Sequence, residues 1–465
     1  MTIEYKPSTR AQVITRRTYN RPLNDQGTVF ETWEATVERV INHQQWLWER
    51  AVGRELLDTE YAELYDLERL MLDRKISMSG RTLWLGGTSV AKTREASQFN
   101  CSFTNAETVY DIVDILWLLL QGCGVGFRPI VGTLSGFSKS IKNIEVIRST
   151  RTEKGGNENN VETFDPETGV WTISVGDSAE AWAKSIGKLM AGKYPAKKLV
   201  LDFSQLRPAG ERLKGYGWIS SGDEAISVAY VAIANILNGR ADSLLTRMDI
   251  LDIVNWLGTI LSSRRSAEIA LFEYGEPEWQ EFAVAKKDWW MHNNAHRTQS
   301  NNSLVFRTKP LRKELEDIFK LMEEAGGSEP GFINAEEALR RAPWFKGCNP
   351  CVEILLGNKS FCNLTEVDLG KFKGNMAGLF DALRLAARAN YRQTCVNLKD
   401  GILQEAWHIN NYFLRLCGVG ITGVAKRPDL TGYDYERMKR TATGAAIGMA
   451  DELGLPHPKN VTCVK

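Results

Sequence analysis

Residues Phe345 to Glu366 read F-K-G-C-N-P-C-V-E-I-L-L-G-N-K-S-F-C-N-L-T-E, and three of the chain's eight cysteines fall within 15 positions there. Asn349, Cys351 and Glu353 alternate, so in an extended segment their side chains share one face. Pro350 lies between them and removes a backbone donor, which suits a loop crossing open space better than a central strand. The apolar run Ile354 to Leu356 follows, and Gly357-Asn358 marks a turn. That turn lets Cys362 fold back beside Cys351 as the return arm. A thiol, a carboxylate and an amide then converge at one tip, with a second thiol nearby.

Other readings compete on the local pattern. Cys348-x-x-Cys351 has zinc-knuckle spacing with Cys362 as a third ligand, but no His lies nearby and the next cysteine is Cys395. A thioredoxin-like redox pair lacks its usual strand-then-helix setting. Buried structural cysteines are the plain alternative.

Working outward, an ordered set of short landmarks accompanies the stretch. R-R-T-Y stands near the start, S-G-R-T-L-W at Ser79–Trp84, N-C-S-F at Asn100–Phe103 and G-V-G-F at Gly124–Phe127. L-D-F-S follows at Leu201–Ser204, R-R-S-A-E at Arg264–Glu268 and N-N-S at Asn301–Ser303. Together with N-P-C-V-E and F-C-N-L, this set resembles the ribonucleotide reductases, and among them the monomeric, adenosylcobalamin-dependent class II of the ribonucleoside-triphosphate reductase type. Each motif is weak singly; their shared order along almost the whole chain is specific.

The resemblance implies an α/β fold: a ten-stranded barrel of two five-stranded parallel halves, with the finger loop threaded through its middle. It divides the chain into a helical segment over 1–75 and the barrel over 76–465. It implies radical reduction of ribonucleoside di- or triphosphates to 2′-deoxyribonucleotides. Loss of a ribose 2′-hydroxyl is difficult by ionic chemistry, whereas a thiyl can take the 3′-hydrogen as an atom and ease that loss. By resemblance Cys351 becomes the thiyl, Glu353 is the general base on the 3′-hydroxyl and Asn349 holds the hydroxyls. Cys101 and Cys362 become a redox disulfide. Adenosylcobalamin is the implied radical source, dNTP or ATP the effector, and an external dithiol or thioredoxin the reductant. Ser263, Arg264, Arg265 and Ser266 fall on the loop that links effector to substrate choice; an Arg pair between small hydroxylic residues suits phosphate or base contacts. Two alternatives are a class I-like catalytic subunit served by a ferritin-like partner and an inactive nucleotide-binding fragment of a split reductase.

Composition narrows the setting. Lys+Arg of 58 against Asp+Glu of 57 leaves a net charge near +1, which argues against bulk attraction to nucleic acid or membrane. Eight cysteines in 465 residues are too few for a disulfide scaffold. The start M-T-I-E-Y-K is no signal peptide, and the longest apolar stretch, around Ile115–Leu120, is too short to span a bilayer. A cytoplasmic protein with reduced thiols is expected.

Periodicity predicts amphipathic helices within 28–75, and helices over Val109–Gln121, Ser178–Ala191, Glu224–Leu237, Ser243–Leu261, Leu311–Glu324, Ala377–Asn390, Leu403–Arg415 and Tyr433–Leu453. Short strands are expected at Thr82–Leu85, around Asn100–Phe103 and at Leu199–Phe203, with loops and hairpins over 132–176. The glycines of G-C-G-V-G at 122–126 either cap the preceding helix or bring amides to a phosphate. His292 and His296 read as structural. At the C-terminus, Asn460 to Lys465 resembles the strand before a phosphate-binding P-S-G-T turn, with Cys463 inside that strand. The resemblance therefore implies a complementing C-terminal fragment as a partner.

Overall fold

The structure, a computed structural model, describes residues 7–213, 215–261 and 267–461. It opens with helices α1 (Thr9–Thr18), α2 (Trp33–Val52) and α3 (Asp58–Leu72). The Thr32 side chain caps α2 by accepting from Ala35 N–H at 3.2 Å, and Gly53 ends it at φ 69°. Strand β1 (Ile76–Met78) and helices α4 (Gly80–Leu85) and α5 (Ser89–Thr93) follow. The strand expected at Thr82–Leu85 is thus a helical turn. Ser79 Oγ accepts from Thr82 N–H at 3.2 Å and starts it, and all four residues of the run are buried. A fully buried apolar run this short carries no periodicity to separate the two conformations.

Strand β2 (Cys101–Ala106), helix α6 (Val109–Leu120) and strand β3 (Gly124–Pro129) make the first parallel unit. An excursion then builds its own four-stranded sheet from β4 (Asn143–Ile147), β5 (Val161–Asp165), β6 (Val170–Ser174) and β7 (Lys198–Asp202), with α7 (Ala179–Ala191) before the last. A short ladder of β8 (Arg212–Leu213) and β9 (Trp218–Ile219) leads to α8 (Glu224–Gly239) and α9 (Arg247–Gly258). The main sheet resumes with β10 (Glu268–Glu273), α10 (Trp279–Ala283), β11 (Ser300–Phe306), α11 (Arg312–Ala325), β12 (Gly331–Asn334) and α12 (Ala335–Arg341). Next come β13 (Gly347–Cys348), β14 (Leu355–Leu356), β15 (Ser360–Cys362) and β16 (Leu364–Asp368), then α13 (Met376–Gln393), α14 (Glu405–Leu414), β17 (Gly418–Thr422) and α15 (Gly432–Leu453).

The main sheet has the order β12-β11-β10-β3-β2-β15. Its first five strands are parallel, and β15 runs antiparallel to β2. Both faces are covered, as a parallel sheet requires. Val125, Phe127, Ala270 and Phe272 pack toward the helices, whereas Phe103, Ile269, Leu271 and Val305 pack toward the β13–β14 hairpin. A three-stranded sheet, β1-β16-β17, lies beyond Asn363 and shares a second core with α2, α3, α13 and α15. Asn363 joins the two sheets: its carbonyl accepts from Gly418 N–H at 2.8 Å and its amide donates to Asn390 O at 2.6 Å.

The fold is therefore α/β with mixed sheets. Among the described residues the strands do not close into a ten-stranded ring. On one side the sheet ends at β12; on the other the chain passes into the separate three-stranded sheet, where Val461 bridges Cys417. No helix of the described residues is long and apolar enough to cross a membrane.

Candidate active site

Residues 345 to 366 form a finger laid on the main sheet and the strands that follow it. Gly347 pairs with Leu356 and Cys348 with Leu355, so β13 and β14 are its two arms. The tip is a turn and not the extended segment that alternation suggested. Val352 N–H donates to Asn349 O at 2.9 Å, and Val352 itself sits at φ 70°. Pro350 occupies the second position of this turn, where its fixed φ is favoured. Asn349 Oδ1 accepts from Ile354 N–H at 3.0 Å and ties the tip together. In consequence the three residues differ in exposure: Asn349 is buried, Cys351 is exposed and Glu353 lies between these extremes.

The sheet is shaped to receive the finger. A Cβ on Gly126 would lie 2.1 Å from the Cys348 carbonyl oxygen, so only glycine permits this approach. Asn301 of β11 donates from Nδ2 to Pro350 O at 2.9 Å, holding the peptide that carries Cys351. Asn301 stood among the sequence landmarks, but its task was not legible, because its partner lies 49 positions away. Gly122 does cap α6: at φ 74° its N–H donates to Leu119 O at 2.7 Å, and Cys123 N–H reaches Leu118 O at 2.9 Å.

Cys362 is not on a finger arm, although the fingertip carboxylate Glu353 acts on its thiol. It lies in β15, directly opposite Cys101 of β2. Opposed residues of an antiparallel pair have Cα atoms about 4.5–5.5 Å apart, within the range a disulfide bridges. Neither is in a disulfide, and both are buried. The Cys362 thiol is pushed well above its ordinary range, first by its hydrogen bond with Cys101, then by burial, with Cys101, Cys123 and Glu353 adding as charges. It is therefore protonated at neutral pH. Cys348 is pushed up to about 12, chiefly by burial with Glu353 adding, so it is a poor thiolate ligand. Among the described residues no group of three or more His, Cys, Asp or Glu is gathered as a metal site.

Asn349 presents one further feature. Its Nδ2 is buried and has no hydrogen-bond partner among the described residues. A buried donor in that state is costly unless a ligand atom completes it. Ser263, Arg264, Arg265 and Ser266 lie outside the described residues. The segment after them is anchored, since Val125 N–H donates to Ala267 O at 2.8 Å. Beside Leu261, two positions before Ser263 in the sequence, lies a cavity of about 370 Å³ lined by Arg94, Arg207, Trp182, Tyr216 and Trp218 among others.

Residues 4–88 match the ribonucleotide reductase alpha domain family. An adenosylcobalamin-dependent ribonucleoside-triphosphate reductase of Lactobacillus gasseri is 28% identical over 437 residues, covering 82% of this chain and 57% of its own length. The enzyme of that name from Lactobacillus acidophilus is 26% identical, covering 89% of this chain and 61% of its own length. A putative one from Mycobacterium phage D29 is 27% identical over 92% of this chain and 65% of its own length. The chain thus spans about six tenths of the length of the Lactobacillus relatives. Among solved structures, a B12-dependent class II ribonucleotide reductase shares the fold with a TM-score of 0.78 at 22% identity, over 97% of this chain and 72% of that one. The resemblance read from the ordered motifs is therefore matched by relatives over most of the chain.

Proposed function

We propose that this chain carries the catalytic machinery of a ribonucleotide reductase of the adenosylcobalamin-dependent class, converting ribonucleotides to 2′-deoxyribonucleotides. The observation that carries the reading is the Cys101–Cys362 pair, two hydrogen-bonded thiols facing each other across β2 and β15. The names of the relatives favour this class over a catalytic subunit served by a ferritin-like partner. In this reading β12 to β2 are one parallel half of a ten-stranded barrel, and β15, β16 and β17 begin the other. The antiparallel junction of β2 with β15 supports that view.

Cys351 is the one exposed thiol among the described cysteines, which fits a radical source that docks over the fingertip. When bound there, adenosylcobalamin supplies the homolytic bond cleavage from which a thiyl is made. Cys351, as the thiyl, takes the 3′-hydrogen of the ribose as an atom. Glu353 accepts the 3′-hydroxyl proton and returns it to the 3′-oxygen before the cycle closes. Asn349 donates its buried Nδ2–H to a substrate hydroxyl, which satisfies that donor. Cys101 and Cys362 together give up two hydrogens and become a disulfide. The 2′-hydroxyl leaves as water with hydrogen in its place, and Cys351 returns its hydrogen to C3′. An external dithiol or a thioredoxin then reduces the pair, which suits a cytoplasmic setting. The cavity beside Leu261, with aromatic walls and the ion-paired guanidiniums of Arg94 and Arg207, suits the base of an effector nucleotide.

The test is Cys351→Ser, assayed with adenosylcobalamin and a dithiol. The O–H bond is too strong for a seryl radical to form usefully. The variant is expected to fold and to make no deoxynucleotide; measurable product from it overturns the assignment.

A further inference from the structure

A second set of charged side chains surrounds the turn that follows the finger. Gly357-Asn358-Lys359 carries the chain from β14 into β15, and Lys359 stands three positions before Cys362. Lys359 sits at φ 52°, a left-handed conformation unusual for a residue with a long side chain. Its Nζ lies 2.6 Å from Asp111 Oδ1, and the pair is enclosed, with side-chain exposures of 11% and 2%. The other oxygen of Asp111 closes the first turn of α6 by accepting from Thr108 N–H at 2.8 Å. Gln404, the cap residue before α14, donates to Asp111 Oδ1 at 2.9 Å and to Asp114 Oδ2 at 2.7 Å. Asn358 is fixed as well: its Oδ1 accepts from Asn105 N–H at 2.8 Å, and its carbonyl accepts from Asn410 Nδ2 at 2.7 Å. One turn is thus tied to the end of β2, the start of α6 and the inner face of α14.

An enclosed ion pair adds little net stability, because removing both charges from water offsets their attraction. What it adds is selectivity among arrangements, since a displaced Lys359 would be buried without its partner. Strand β15 needs such a device. Its ladder with β2 is only Ser360↔Phe103, Phe361↔Ser102 and Cys362↔Cys101, too short to hold a register by itself. A slip of one residue would turn Cys362 to the opposite face of the sheet.

We propose that Lys359, acting through Asp111, is a positioning residue of the thiol pair: the enclosed ion pair sets the register of β15 on β2 and so the closeness of Cys362 to Cys101. The inference rests on reading Cys101 and Cys362 as the pair that is oxidised. In glutathione buffers the step is balanced: the two thiols lose two hydrogens to oxidised glutathione, one S–S bond forms, and two molecules of reduced glutathione are released.

The experiment equilibrates the full chain with such buffers and quantifies the Cys101–Cys362 disulfide by peptide mapping. Lys359→Met is expected to lower the equilibrium constant for forming it about tenfold, a potential less negative by about 30 mV for this two-electron couple. Lys359→Gly relieves the left-handed backbone but removes the amine, and is expected to shift the potential as far. Lys359→Arg restores most of it. If Lys359→Met fails to fold, the glycine and arginine variants decide. Potentials equal to wild type in the variants that lack the amine overturn the proposal. So does a shift in Lys359→Met that is absent from Lys359→Gly, because the backbone and not the ion pair would then be responsible. Failure of wild type to form the disulfide in any buffer overturns the redox-pair reading, and this inference with it.

Discussion

Glu268 shows how one residue can govern the pH response of the whole chain. It opens β10 on the face away from the finger, buried, with Asn255 Nδ2 donating to Oε2 at 2.9 Å and Oε1 without a partner among the described residues. Burial pushes its carboxyl up to about 8, and the Asn255 hydrogen bond opposes this only in part. A carboxyl whose pKa is raised on folding binds its proton more tightly in the native state. Its contribution is therefore complete below the unfolded value of about 4.3 and is lost as pH rises through 8. Glu268→Gln removes that dependence while keeping the shape. Urea unfolding at pH 5 and pH 8 is expected to show wild type losing on the order of 3 kcal/mol more than the variant over this interval. Parallel losses would show that Glu268 is not held neutral. The fingertip residues were only half legible by comparison. Cys351 and Glu353 stood out by type and spacing, but the period-two pattern that put them on one face with Asn349 presumed an extended backbone. Pro350 and the positive φ of Val352 break that pattern, and no alternation of residue types records a local reversal of φ.

Among the elements, the finger and the sheet beneath it depend on each other. Gly126 leaves the space that the Cys348 carbonyl occupies, and Phe103 packs against the finger arm at Gly347. Gly126→Ala forces the finger off β3. A loss of roughly 1–3 kcal/mol is expected, as in other overpacked cores, with the buried Cys348 becoming reactive to alkylating reagents. Thermal unfolding and alkylation mapping test this together; an unchanged melting temperature with Cys348 still protected would refute the close approach. Most helices were legible because their apolar residues recur at helical spacing and their caps are written in the sequence, as at Thr32 and Thr108. The helix at Gly80–Leu85 was not, since a short run buried on every side has no period to read. Nor was the Lys359–Asp111 pair, whose members stand 248 positions apart.

At the scale of the molecule, two long-range facts bring the chemistry together. Strand β15 crosses antiparallel onto β2 and sets Cys362 against Cys101, while the finger, held by Asn301, leaves Cys351 exposed at its tip. Order of motifs along the chain made these residues legible as a set, and the resemblance implied the Cys101–Cys362 pair; the sheet topology sets those two thiols opposite each other. In the proposed reaction Cys101 and Cys362 are spent together while Cys351 is regenerated. The most direct measurement is one turnover of the protein, with adenosylcobalamin and a ribonucleoside triphosphate but no external reductant, followed by peptide mapping of every cysteine. One Cys101–Cys362 disulfide per deoxynucleotide formed, with Cys348 and Cys351 still reduced, is expected. A Cys348–Cys351 disulfide, or product formed with Cys101 and Cys362 still reduced, would contradict it.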